Sequence, residues 1–327
     1  MMPATTLEEK RLDLKALRAA LPEWTAFEKY YESVLYAEVY RKNWLLERLI
    51  QFLFRQQGKQ IRPLLLLYMA KATGTITESS FIGATMIEIL HNATLAHDDV
   101  VDDADYRRGF FSFRALWGNR VAVLWGDWLL ARGLLLALRH DQPQLLTYTS
   151  EAVEALAEGE LLQLKRMREA NLTTDSYFAV IDKKTAALFE ATCRMGAYSA
   201  GASQSTISQA GMIGQRIGRG FQLRDDLLDW EASQLSGKPR DADRKQKRFT
   251  LPLIWAMQRA STKEKHTLLH GSFSETHTLL EKMGAFTYTE QMITEIYEES
   301  LCLIQALPQA RAIPLGALFH LLLFRQR

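Results

Sequence analysis

Six aspartates stand in two copies of one spacing: Asp98, Asp99 and Asp102, then Asp225, Asp226 and Asp229. Residues four apart share a helix face, so Asp98 and Asp102 can grip one ion while Asp99 lies about 100° round; Asp225 and Asp229 repeat that geometry. Like charges one turn apart destabilise a bare helix by roughly a few tenths of a kcal/mol, and burial raises the cost. A hard cation relieves it. Magnesium takes oxygen ligands and is commonly held by one or two carboxylates plus substrate phosphates, whereas zinc or iron would call for His or Cys. One such cluster alone reads equally well as a solvated acidic helix end. Two copies of the same spacing, each preceded by an apolar helix, weigh heavily against that.

Phosphate-bearing substrates need cations that the aspartates have not neutralised. Gly58, Lys59, Arg62 and Pro63 lie in GKQIRP, where Gly breaks one helix and Pro suits the first turn of the next. Lys59 and Arg62 then sit at a helix N-terminus, where the dipole also favours an anion. Arg107 and Arg108 follow the first cluster as a forked pair suited to diphosphate oxygens. His91 precedes Asp98 by two turns on the same face. Lys238, in the Gly237-Lys238-Pro239 turn, opens a basic run through Arg248 just after the second cluster. That run lacks interleaved aromatics and is cut by Asp241 and Asp243, so it argues for closing over phosphate rather than for nucleic acid.

The elements that must hold these side chains are helical. Apolar residues recur at three- and four-residue spacing nearly everywhere, as at Leu129, Gly133, Leu136 and Ala137, and nothing reads as alternating strands. The spacing predicts helices near 7–20, 23–56, 61–73, 78–103, 119–140, 144–170, 174–201, 204–231, 249–260, 287–306 and 312–326. Eight prolines and eighteen glycines leave punctuation sparse, and no Gly/Ser- or Pro-rich linker appears, so residues 1–327 read as a single domain. An all-α protein follows.

The length suffices for a sizeable core, and a net charge of +2 excludes the chain-wide field of a dedicated nucleic-acid binder. Cys193 and Cys302 cannot build a disulfide framework or a four-thiolate metal site. The N-terminus alternates charged and apolar residues unlike a signal peptide, and the longest apolar runs fall far short of the roughly 20 residues of a spanning helix. A soluble, cytoplasmic protein without a transmembrane segment is the expectation.

In order, GKQIRP, HNATLAHDDVVD, RRG, GNRVAVLWGDWLL, EGELLQL, KTAALF, GRGFQLRDDLLDW and GKP resemble the trans-isoprenyl diphosphate synthases, the family of farnesyl, geranylgeranyl and longer polyprenyl diphosphate synthases. The likeness runs from Gly58 to Thr250 and fades toward both ends. It implies an all-helical isoprenoid synthase fold whose aspartate clusters face each other across a deep central cavity with about three Mg²⁺ ions. By resemblance, Asp98, Asp102 and Asp225 are the principal metal ligands, and Asp99, Asp226, Asp229 and Lys184 complete the catalytic set. Lys59, Arg62, His91 and Arg108 would bind isopentenyl diphosphate. Arg107, Lys184, Thr185, Gln222 and Lys238 would bind the allylic diphosphate. The implied reaction is head-to-tail chain elongation, with Phe189 and Phe221 near the path of the allylic cation, and the implied assembly is a homodimer with transient membrane contact for its product. After GKP the text RDADRKQKRFTLP departs from the family; Arg248 stands where a lysine is usual and is carried over as a diphosphate contact.

Product length in this family looks set by how far the cavity extends below the first cluster. Ala93 and Thr94, where short-chain enzymes tend to carry a bulky aromatic, are both small, and Leu90, Ile87 and Met86 lie further up the helix. A product beyond twenty carbons is therefore expected, with Met86 or Ile87, or the facing helix around Leu129 to Leu138, as the tunnel floor. The alternatives are a short-chain farnesyl or geranylgeranyl diphosphate synthase, a terpene cyclase or head-to-head condensing enzyme, and a non-catalytic regulatory subunit of a heteromeric synthase. A cyclase has no use for Lys59, Arg62 and Arg108, and a regulatory subunit should have lost part of an aspartate cluster.

Overall fold

The long helices that carry the aspartates set the frame of the structure, a computed structural model that describes residues 13–37, 44–55, 58–107, 110–169, 173–236, 250–309 and 313–325. The chain enters through α1 (Leu14–Ala19), α2 (Trp24–Tyr36), α3 (Trp44–Arg55), α4 (Ile61–Thr73) and α5 (Glu78–Val101). A short antiparallel hairpin, Tyr106–Arg107 against Phe110–Phe111, and α6 (Phe113–Trp117) lead to α7 (Asn119–Arg139) and α8 (Pro143–Glu169). Next come α9 (Thr174–Ile181), a π-turn over Asp182–Ala186, α10 (Ala187–Ser199) and α11 (Gln204–Ser236). Helices Leu251–Arg259, Thr262–His270, Phe273–Met283, Ala285–Gln305 and Leu315–Leu323 complete the described chain.

α4 and α5 are buried almost all round, from Pro63 to Ala70 and from Ile82 to Leu90, which marks them as the centre of the core rather than its covering. α5 lies against α7, and α10 against both α4 and α11. Glycines let the α10–α11 pair close up. A Cβ at Gly214 would stand 2.4 Å from the Phe189 carbonyl oxygen, and one at Gly218 2.5 Å from Ala186 Cα, so the two backbones run in direct contact. That contact brings Phe189 and Phe221 to 5.2 Å between ring centroids, near the middle of the protein.

The all-helical expectation holds but for the two-residue hairpin. The single helix over 23–56 is overturned: Tyr31 sets its ring 5.7 Å from Phe54, whereas a straight helix would hold the two roughly 34 Å apart. The chain therefore folds back between α2 and α3, so that the two apolar faces bury each other. The helix over 174–201 is interrupted by the π-turn, and 204–231 extends to Ser236. Three helices went unpredicted, the short α6 together with Thr262–His270 and Phe273–Met283, although each of the last two opens with Ser-x-x-Glu. Ser261 and Ser272 accept from the backbone of Glu264 and Glu275, whose side chains reach back to the serine N–H groups.

Among the described residues one helix, Asn119–Arg139, is long and apolar enough to cross a membrane by length and composition. It packs Trp125, Leu129 and Gly133 inward, with Gly133 admitting Ile89 of α5, and leaves Leu124, Leu135 and Leu138 exposed.

Candidate active site

Asp98 and Asp102 close the C-terminal turn of α5, the Asp102 N–H donating to the Asp98 carbonyl at 2.8 Å, so both carboxylates belong to one helix end and stay partly exposed. Asp99 points the other way. It is 2% exposed, and its Oδ2 accepts from the backbone N–H of Phe113 at 3.3 Å. The chain between them turns tightly, with the Ala104 N–H on the Asp99 carbonyl at 3.0 Å and Arg114 bridging Asp103 and Asp105 at 3.1 and 2.9 Å.

The second cluster divides in the same way. Asp225 is partly exposed and paired with Arg325, and Asp229 is exposed. Asp226 is 5% exposed and accepts from Tyr177 Oη at 2.7 Å, from the Leu251 N–H at 3.0 Å and from Gln222 Nε2 at 3.1 Å. Burial pushes its carboxyl up to about 7, against the pull of those three donors. Asp99 and Asp226, expected to complete the catalytic set, thus both turn into the protein, where a backbone N–H group donates to each carboxylate.

The basic side chains gather around the π-turn and the α4 N-terminus. α8 crosses the π-turn at Gly159, where a Cβ would come within 2.8 Å of the Lys184 nitrogen. Its side chains then meet α8 and α11: Lys184 Nζ lies 2.5 Å from Glu160 and 3.4 Å from Gln163, and Thr185 Oγ1 donates to Gln222 Oε1 at 2.8 Å. Arg219 grips Asp182 with two bonds, at 2.5 and 2.7 Å, fixing the start of the turn. At the other end, Arg62 Nη1 is 3.1 Å from His91 Nε2, with its guanidinium 4.9 Å from the centroid of the Phe189 ring. Lys59 is exposed, and its carbonyl accepts from Arg18 at 2.6 Å.

These contacts form a continuous path between the helices of the two clusters. His91, two turns above Asp98, touches Arg62; Arg62 covers Phe189; Phe189 meets Phe221; and Arg325, 4.0 Å from the Phe221 centroid, pairs with Asp225. Phe189 is fully buried and Phe221 partly so, a guanidinium lies beside each ring, and the helix at each end, α5 and α11, carries an aspartate cluster; cations beside aromatic carbon suit an anionic head with an apolar tail.

Among the described residues, no three His, Cys, Asp or Glu side chains converge on one point. Magnesium is satisfied by one or two carboxylates when phosphate oxygens supply the rest, and the oxygen donors of Asp98 and Asp102 on α5 and of Asp225 on α11 fit it. Ala93, Leu90, Ile87 and Met86 are all buried in the core, and Thr94 donates to the His91 carbonyl at 2.9 Å. Arg107 lies in the first strand of the hairpin, while Arg108, Lys238 and Arg248 lie outside the described residues. Glu160, Gln163, Tyr177, Arg18 and Arg325 were missed as site neighbours. The first two stand in the EGELLQL motif, but the other three are far from every motif and carry no local signature.

Residues 43–283 match the family model described as Polyprenyl synthetase. The octaprenyl diphosphate synthase of Escherichia coli (strain K12) is 34% identical over 274 residues, 81% of this chain and 84% of that one. The all-trans-nonaprenyl-diphosphate synthase (geranyl-diphosphate specific) of Rhodobacter capsulatus is 35% identical over 262 residues, 77% of this chain and 80% of its own. Among solved structures, the polyprenyl synthase from Caulobacter crescentus CB15, complexed with calcium and isoprenyl diphosphate, superposes with a TM-score of 0.84 at 28% identity, covering 95% of this chain and 98% of that one.

Proposed function

Because this chain belongs to the polyprenyl synthetase family, we propose that it is a magnesium-dependent prenyltransferase that adds isopentenyl diphosphate head-to-tail to an allylic diphosphate, making an all-trans polyprenyl diphosphate longer than twenty carbons. The observation that carries this reading is the path from His91 and Arg62 across Phe189 and Phe221 to Asp225, with an aspartate cluster at each end.

Lys59, Arg62 and His91 hold the diphosphate of isopentenyl diphosphate, with Arg108 as the fourth cation. Lys184, Thr185 and Gln222 hold the allylic diphosphate, joined by Arg107, Lys238 and Arg248. Asp98, Asp102 and Asp225 would hold about three Mg²⁺ ions, which neutralise charge on the departing diphosphate. The allylic C–O bond breaks with both electrons leaving on diphosphate, the double bond of isopentenyl diphosphate attacks the allylic carbon, and a proton is lost from the adduct. Phe221, partly buried and backed by the fully buried Phe189, lies beside the path of the cationic carbon and helps to exclude water from it. No acid–base triad is required, since the catalysis is placement and charge stabilisation.

Two small residues one turn before Asp98, Ala93 and Thr94, support the long product. The exposed apolar stripe of α7, Leu124, Leu135 and Leu138, supports a homodimer, and the whole chain is read as one synthase domain acting in the cytoplasm. The deciding assay is magnesium-dependent consumption of isopentenyl diphosphate with a panel of allylic starters, followed by chromatography of the dephosphorylated products. Chains of fifteen or twenty carbons alone would refute the product length, and no consumption with any starter would refute the reaction. Sedimentation of the wild type against a Leu124→Glu, Leu138→Glu variant tests the dimer.

A further inference from the structure

We propose that the middle aspartate of each cluster, Asp99 and Asp226, is a positioning residue that fixes where the chain re-enters a helix after the segment following its motif, leaving cation binding to the neighbours. The proposal rests on the reading of Asp98, Asp102 and Asp225 as metal ligands.

Adjacent residues on a helix point about 100° apart, so one member of each Asp-Asp pair can stay partly exposed while the other turns into the protein. Both middle residues do the latter, at 2% and 5% exposed, and the burial of a charge requires hydrogen-bonded partners. The partners chosen are the same in kind. Asp99 Oδ2 takes the N–H of Phe113, first residue of α6, and Asp226 Oδ2 takes the N–H of Leu251, first residue of the helix Leu251–Arg259. The first N–H groups of a helix have no partner within it, so each carboxylate satisfies a donor that burial would otherwise leave unpaired.

The consequence is one of register. Asp99 ties the start of α6 to the end of α5, and the Ala104 N–H on the Asp99 carbonyl and the Ser112 N–H on the Asp105 carbonyl at 2.9 Å hold the hairpin between. Asp226 ties the start of the helix Leu251–Arg259 to α11, and does more. Because Gln222 Nε2 is spent on Asp226, its Oε1 is left to accept from Thr185, so the amide orientation in the allylic site is set by Asp226. Tyr177 completes the junction by donating from α9. A carboxylate in this position holds three elements together one residue along the chain from the metal ligand beside it.

The test uses Asp99→Asn, Asp226→Asn and Tyr177→Phe, with Asp225→Asn as the metal-ligand control. Hydrogen exchange is followed in peptides covering 113–117 and 251–259, magnesium binding is titrated in the presence of inorganic pyrophosphate, and steady-state kinetics are run with the allylic diphosphate varied. Expected is at least tenfold faster exchange in 113–117 for Asp99→Asn and in 251–259 for Asp226→Asn. Magnesium affinity should stay within about threefold of wild type in both, against a loss of more than tenfold in Asp225→Asn. In Asp226→Asn the KM of the allylic diphosphate should rise more than kcat falls, and Tyr177→Phe should shift exchange in 251–259 in the same direction by less. Magnesium affinity lost to the same degree as in Asp225→Asn, or unchanged exchange in both segments, would overturn the proposal. Should an aspartate variant fail to fold, Tyr177→Phe decides for Asp226 by the same exchange readout. Wild-type protein without prenyltransferase activity would remove the reaction read above, while the exchange result would still decide this point.

Discussion

Replacing Gly159 with alanine probes how tightly the π-turn is held to α8. The added methyl carbon would stand 2.8 Å from the Lys184 nitrogen, 3.0 Å from Lys183 Cβ and 3.1 Å from Lys184 Cα. These are mostly backbone atoms, which cannot swing aside. Restoring an ordinary contact of 3.4 Å from 2.8 Å moves the π-turn away from α8 by about 0.6 Å, the difference of the two. Overpacking of this sort costs about 1–3 kcal/mol, while removing a glycine from a helix interior returns about 1 kcal/mol, so the net loss of stability is about 0–2 kcal/mol. Turnover is the more sensitive quantity. Lys184 and Thr185 ride on the displaced turn, and a misplacement approaching 1 Å costs up to about 100-fold, so kcat/KM for the allylic diphosphate should fall roughly 10- to 100-fold. Thermal unfolding and initial rates with isopentenyl diphosphate saturating measure the two effects separately. A Gly159→Ala protein with wild-type kcat/KM and a raised Tm would show that the close crossing does not position Lys184.

Arg18→Met removes the guanidinium that holds the Lys59 carbonyl at 2.6 Å and lies 4.8 Å from the Trp24 centroid; with the group half-exposed, the loss is about 1–2 kcal/mol, and KM for isopentenyl diphosphate should rise about five- to thirtyfold with kcat unchanged. Ala93→Phe should shorten the product without abolishing turnover, read by chromatography of the dephosphorylated chains; unchanged length removes Ala93 from the tunnel wall. Gly214→Ala drives a methyl to 2.4 Å from the Phe189 oxygen, so two backbones must part; overpacking of about 1–3 kcal/mol less about 1 kcal/mol of helix propensity leaves a net loss of about 0–2 kcal/mol in denaturant titration.

The central helices α4, α5, α10 and α11 were legible because each carries an unbroken apolar pattern, and the pairing of Asp98 with Asp102 because a spacing of four on a helix is itself a geometry. The fold-back between α2 and α3 was not, since residues 23–56 carry the same periodicity whether the helix runs on or doubles back; only the partner face, Tyr31 on Phe54, decides. The helices after Ser261 and Ser272 were legible in principle through their capping boxes, yet their cores are thin, with Leu268 and Leu280 as anchors, and the apolar pattern alone did not reveal them.

Lys184 and Thr185 have no signature of their own and stand out only through the family resemblance; what the sequence determined by itself is paired aspartates at helical spacing and cations at Lys59, Arg62 and His91. Those are local properties, written in residue type and period. Which aspartate of each pair turns into the protein, that Lys184 sits on a π-turn, and that Arg18 meets Lys59, Tyr177 meets Asp226 and Arg325 meets Asp225 were decided only by tertiary structure. Each depends on the approach of elements far apart in the chain: Gly159 against Lys184, Leu251 against Asp226, Arg325 against Asp225. A hydrogen bond or a steric contact across such a distance is fixed by packing, and no period within one segment encodes it.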